Sequence, residues 1–156
     1  MSAMNPDDAA VLARLLRTGR IAHLGTLRQG APLASMTLYL AAPGFDAFYV
    51  HVSRLAWHTQ DMHADAHVAL SVAEPDDGRD DPFTLARITI RGEAAELGAH
   101  AGPRQAWLAR FPAQAVNFEL ADFSFWRIAP RDARFVAGFG RIHSLSAAEL
   151  AAAARA

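Results

Sequence analysis

The densest chemical potential lies in Ser53-Arg54-Leu55-Ala56-Trp57-His58-Thr59-Gln60-Asp61-Met62, between the apolar runs Ala47 to Val52 and Val68 to Val72. A hydroxyl- and cation-bearing helix start directly after a strand can seat a phosphate. Free N–H groups at a helix N-terminus carry partial positive charge, and Ser53, Arg54, His58 and Thr59 add side-chain donors. A phosphorylated ligand or cofactor is therefore the first expectation, against a capped and solvated helix start. His58 would add pH sensitivity if its contact needs the imidazolium form. His58, Asp61, His63, Asp65 and His67 have the residue types of a metal site. The turn expected at Ala64-Asp65-Ala66 makes these side chains diverge, so no metal is expected there. His23, between Ala22 and Leu24, reads as a wall or core residue, and His143 as part of a helix-cap environment.

Composition removes several chemistries. The 156 residues contain no cysteine, which excludes thiolate catalysis, disulfides and Cys-ligated metal or iron–sulfur sites. All fifteen basic residues are arginine, so lysine Schiff-base chemistry and a Walker A loop are excluded too. Arginine remains suited to phosphate, because its planar fork matches the oxygens. No serine lies in a G-x-S-x-G elbow, Gly138-Phe139-Gly140 is too short for a dinucleotide fingerprint, and the acids show no paired-carboxylate spacing. A net charge of −1 with scattered charges gives no nucleic-acid footprint. The segment from Met1 to Arg20 has neither a signal-peptide pattern nor a membrane-spanning one, so the expected location is the cytoplasm.

The elements that must position these residues follow from punctuation and period. Acids after Pro6 and apolar Val11, Leu12, Leu15 and Leu16 predict a helix ended by Gly19. Ile21 to Leu27 and Pro32 to Leu40 predict strands joined by a hairpin at Arg28-Gln29-Gly30-Ala31. A turn at Ala42-Pro43-Gly44 leads to a strand over Phe45 to Val52, a helix over Leu55 to Ala64 and a strand over His67 to Ala73. An acidic loop runs to Pro82. Thr84 to Leu97 predicts a long strand interrupted at Gly92. Pro103 to Phe111 predicts a helix, and Pro112 to Leu120 is ambiguous. Asp122 to Ile128 and Arg134 to Phe139 predict strands around a turn at Ala129 to Asp132. Ser146 and Glu149 form a capping-box pattern for a last helix. The sum is one domain over 1–156, α+β but mainly β, a small β-barrel with short flanking helices. Phe118, Phe123, Phe125, Trp126, Phe135 and Phe139 cluster late; most are expected in the core and some in a dimer interface.

The motif order resembles the pyridoxamine 5'-phosphate oxidase-like, FMN-binding split-barrel superfamily, closest to its HugZ/HutZ-like haem-utilisation branch. The carriers are G-R-I-A-H-L-G-T-L-R-Q-G-A-P-L-A-S-M-T-L-Y from Gly19, S-R-L-A-W-H-T-Q-D-M from Ser53, A-R-I-T-I-R-G-E-A from Ala86, D-F-S-F-W-R-I from Asp122 and G-F-G-R from Gly138. The resemblance runs over Arg17 to Leu150 and implies a split β-barrel that forms a homodimer, with FMN at the subunit interface and a small-molecule substrate. It implies that Ser35, Met36 and Thr37 line the isoalloxazine and that Ser53, His58 and Thr59 meet the phosphate. Arg87 would approach the flavin, and Trp126 and Arg141 would come from the second subunit. Two departures stand out: Trp57-His58-Thr59 replaces the adjacent Arg-Lys pair of the oxidases, and their Arg-Leu-His-Asp signature is missing, so vitamin B6 oxidation is not expected. The expected function is a flavin-dependent oxidoreductase. The alternatives are a haem-binding or haem-degrading protein without FMN, with His143 as its haem ligand, and a deazaflavin-dependent reductase.

Overall fold

The computed structural model describes residues 3–156. Helix α1 (Pro6–Thr18) starts where the Asn5 side chain accepts the Asp8 N–H at 2.8 Å, with proline in the first turn. It buries Leu12, Leu15 and Leu16, each contributing about 2 kcal/mol of apolar burial. The helix ends at Gly19 because the chain passes tightly under Tyr39. A Cβ there would lie 2.4 Å from the Tyr39 hydroxyl, which donates to the Leu16 carbonyl at 2.9 Å.

Strands follow in the order β1 (Ile21–Arg28), β2 (Ala31–Leu38), β3 (Leu40–Ala41) and β4 (Phe48–Ser53). Helix α2 (Trp57–Ala64) leads to β5 (His67–Ala73) and, past a 3-10 turn at Pro82–Thr84, to β6 (Arg87–Glu96). Helix α3 (Arg104–Arg110) and a 3-10 stretch at Pro112–Glu119 precede β7 (Phe123–Gly138), β8 (Arg141–Ser146) and α4 (Ala147–Ala152). The strands form one curled antiparallel eight-stranded sheet, ordered β2-β1-β5-β6-β7-β4-β3, with β8 also on β7. With its flanking helices this is the expected α+β split barrel. The concave side holds Leu24, Leu70, Ile88, Ile90, Val50, Ile128 and Phe135, and α1 and Leu150 pack into the same cluster. A second cluster of Trp107, Phe111 and Phe125 sits apart from it.

The hairpin at Gln29-Gly30 forms as expected, with both residues at positive φ. Three boundaries differ from the sequence reading. The two strands expected around Ala129 to Asp132 are one strand, β7. The supposed turn is a bulge that leaves Arg131 unpaired between Gly92↔Pro130 and Arg91↔Asp132. Gly92 permits it, because a Cβ there would meet the Ala129 carbonyl at 2.3 Å. The stretch after Gly140 is strand β8, paired on β7, rather than a helix-cap loop. Helix α2 starts at Trp57, two residues later than expected, because Arg54–Ala56 closes a turn on Ser53 first.

Candidate functional site

The Ser53–Thr59 segment is placed as expected, after β4 and into α2, but its groups are largely spent. The Ser53 hydroxyl donates to Asp122 Oδ2 at 2.6 Å and accepts the Leu55 N–H at 3.1 Å. Arg28 donates to Asp61 at 2.8 Å and lies over the Trp57 ring; Thr26 donates to Asp61 as well. Burial, outweighing the nearby Asp61 charge, holds His58 below the ordinary imidazole range, so it brings no cation at neutral pH. His58 Nε2 and Thr59 Oγ1 are buried without partners. Arg54 is exposed. Among the described residues of this segment Arg54 is the one cation without a partner, a poor cradle for a phosphate dianion within a single chain.

Strand period divides the β2 candidates. Thr37 points inward and is buried, its hydroxyl unpaired, and Ser35 shares that parity. Met36 points outward and is 62% exposed, directly across from His23. Arg87 starts β6 opposite Ala73, whereas α2 runs into β5 at the other end, near Glu93. Its guanidinium donates to the Phe83 and Leu85 carbonyls, so within one chain it is remote from the Ser53–Thr59 segment. Trp126 is buried, its ring edge-on to His63 at 4.7 Å.

Arg141 and His143 close on one carboxylate. Asp8, 1% exposed in the first turn of α1, accepts Arg141 Nε at 2.7 Å, and its other oxygen lies 2.6 Å from His143 Nε2. Burial pushes the Asp8 carboxyl up, but the hydrogen bonds from Arg141 and His143 outweigh it and hold the group below the usual carboxylate range. His143 also stacks on Phe135. The knot ties α1 to β8. Among the described residues no trio of His, Asp and Glu could hold a metal ion. His63 pairs with Glu96 at 3.0 Å and His67 with Asp65 at 2.8 Å.

The group that sequence reasoning missed lies at the other end of α1. A cleft of about 590 Å³ opens between the last turn of α1 and the outer faces of β1 and β5. Its floor carries one imidazole, His23, among small neighbours: Ser71 is its cross-strand partner, and Gly25 and Ala69 pair one step along the same face. Leu15, Ile21, Ala73 and Pro75 supply apolar wall. Arg14 and Arg20 stand at the rim. Among the described residues neither guanidinium nor the His23 ring has a hydrogen-bond or ion-pair partner. The acid of the cleft, Glu74, is occupied by the Ala86 N–H at 2.9 Å. An unpaired imidazole can ligate iron, and two free guanidinium forks can take carboxylates. The cleft falls within the usual 300–1,000 Å³ range of ligand sites. The available signal was parity: Ile21, His23 and Gly25 share the face opposite to Ala22, Leu24 and Thr26.

No family model matches the chain. It is 33% identical over 122 residues to "Non-canonical heme oxygenase HOZ, chloroplastic" of Arabidopsis thaliana; the match takes in 77% of this chain and 36% of that protein, so the chain spans about a third of the relative's length. A heme binding protein from Mycobacterium smegmatis superposes with a TM-score of 0.79 at 26% identity, over 96% of this chain and 62% of the other. At the level of fold alone, HutZ, the heme storage protein of Vibrio cholerae, superposes at 0.64 with 17% identity over 83% and 92% of the two chains. A pyridoxamine 5'-phosphate oxidase-like protein from Listeria innocua does so at 0.64 with 16% identity over 85% and 98%.

Proposed function

We propose that this chain, a split barrel of the pyridoxamine 5'-phosphate oxidase-like kind near the HugZ/HutZ branch, binds haem in the cleft beside His23. One observation carries the reading. Among the described lining residues the one ring is His23, an unpaired imidazole across from Ser71, with the unpaired guanidinium groups of Arg14 and Arg20 lining the same cleft. Bound haem would supply a redox-active iron. The chain would supply His23 to hold the iron, Arg14 and Arg20 for the propionates, and Leu15 and Ile21 for apolar contact and exclusion of water. His143 is a poorer candidate ligand, since its Nε2 is already engaged by Asp8.

FMN is the second reading. Arg54, exposed directly after β4, supports it, together with the partnerless His58 and Thr59 atoms beside it. A second copy of the chain would have to bring the cations that this segment lacks. Homodimerisation belongs to the proposal for either ligand: Met36 and Ile21 are exposed beside His23 on the same outer face, and a partner would bury them.

Parallel titrations test the reading. With haem, the Soret band should shift and saturate at one equivalent per chain, while FMN fluorescence should stay unquenched. FMN binding without a Soret shift would overturn the haem assignment. Ascorbate added to the haem complex separates a carrier, whose Soret band persists, from an oxygenase like the one HOZ is named for, whose band is lost.

A further inference from the structure

A second cavity, of about 290 Å³, lies across the sheet between β4, β7, the loop before α3 and the 3-10 stretch after it. Its walls are rings. His51 stacks on Phe118 with centroids 4.2 Å apart and 15° between the planes, and Phe125 and Phe123 stand 4.6 and 5.5 Å from the same imidazole. Burial, then the charge of Arg104, push His51 down to about 4, so this ring is neutral at pH 7 and acts as one more flat wall. Its Nδ1 is buried without a partner. At the mouth, the Arg104 guanidinium carbon sits 4.7 Å from the centre of the Phe118 ring. Among the described residues Arg104 pairs with no carboxylate. His100, on the same rim, holds a left-handed backbone at φ 65. Glu119 is the acid at the opening.

We propose that this cavity is a binding site for a one- or two-ring aromatic carboxylate, its ring against Phe123 and the edge of Phe118 and its carboxylate on Arg104. The ring walls select a flat apolar body. The single unpaired guanidinium, already oriented by its ring contact, selects an anion and offers two parallel donors to a carboxylate. Glu119 at the mouth disfavours a doubly charged phosphate. The volume, just below the usual range of ligand pockets, suits one or two rings better than a tetrapyrrole or a flavin. The site is independent of the haem reading, since it shares no residue with the His23 cleft.

The test uses the full chain without haem. Benzoate and indole-3-carboxylate are titrated, with benzamide and cyclohexanecarboxylate as neutral and non-aromatic controls, and the His51 ring signals are followed by NMR. The aromatic acids should bind saturably in the millimolar range or tighter, as about ten heavy atoms allow. Both controls should bind at least several-fold more weakly. Arg104→Gln, at an exposed position that leaves the fold intact, should weaken the acids about tenfold or more and leave benzamide unchanged. Saturable binding with that Arg104 dependence supports the site. No saturation at tens of millimolar, equal binding of benzoate and benzamide, or indifference to Arg104→Gln overturns it.

Discussion

The two ends of α1 face opposite tasks. At its start, Asp8 is almost fully buried and its charge is matched: Arg141 and His143 converge on one carboxylate. At its end, Arg14 stands with Arg20 and His23 around an open cleft and none of the three is matched. Both ends combine arginine with histidine, so composition alone cannot tell them apart. The difference is the carboxylate. A buried acid turns the first pair into a structural tie, whereas the acid lining the cleft, Glu74, is engaged by the Ala86 N–H and leaves the second set available to a ligand that brings its own negative charge.

Breaking the tie should have the largest effect on stability. Asp8→Ala leaves Arg141 and His143 without their acceptor. Because Arg141 is about half exposed, the expected loss is about 2 kcal/mol rather than the larger cost of a fully buried pair. Urea unfolding checks it, and an unchanged midpoint would remove the tie from the account. Haem affinity should stay near the parent's, since the cleft lies at the other end of the helix.

The same carboxylate should give the protein an acid limit. Its folded pKa is depressed, so its contribution is complete above the unfolded value near 4 and is lost as pH falls through the folded one. Stability should therefore drop more steeply below about pH 4 in the parent than in Asp8→Asn. Parallel slopes of unfolding free energy against pH in that window would contradict this.

The open end should respond in binding and not in stability. Arg14→Gln and Arg20→Gln should each weaken haem by about five- to tenfold, the size of one exposed charge-assisted contact, while unfolding midpoints barely move. High salt should mimic the pair of substitutions. Salt-independent affinity in the parent would argue against propionate anchoring. His143→Gln should do least in a binding assay, with no measurable change in haem affinity.

Much of the frame was legible in the sequence. The hairpin at Gln29-Gly30, the α1 helix and the Ser146–Glu149 capping box all form where local residue types demand them. The long strand β7 was not legible, because Pro130 and Asp132 carry turn chemistry. The bulge that absorbs them depends on Gly92 in a strand some forty positions away. The same limit applied to the sites. The Ser53–Thr59 donors lie together in sequence and could be picked out, but Asp122, which occupies Ser53, is distant in the chain. His23 reads as a wall or core residue in the sequence because its neighbours Ala22 and Leu24 are apolar. Only the parity of β1, with Ser71 and Met36 across from it, turns it outward under Arg14 and Arg20. Local order reveals donors; which of them remain free is decided by long-range partners.

The central claim is that the unmatched end of α1, and not the matched end, holds the ligand. The most direct measurement is the haem absorption spectrum of His23→Ala beside that of His143→Ala, both shown by circular dichroism to be folded. The account predicts that His23→Ala loses the shifted Soret band and binds haem at least about tenfold more weakly, while His143→Ala keeps the parent spectrum. A parent-like spectrum for His23→Ala with a lost band for His143→Ala would contradict it.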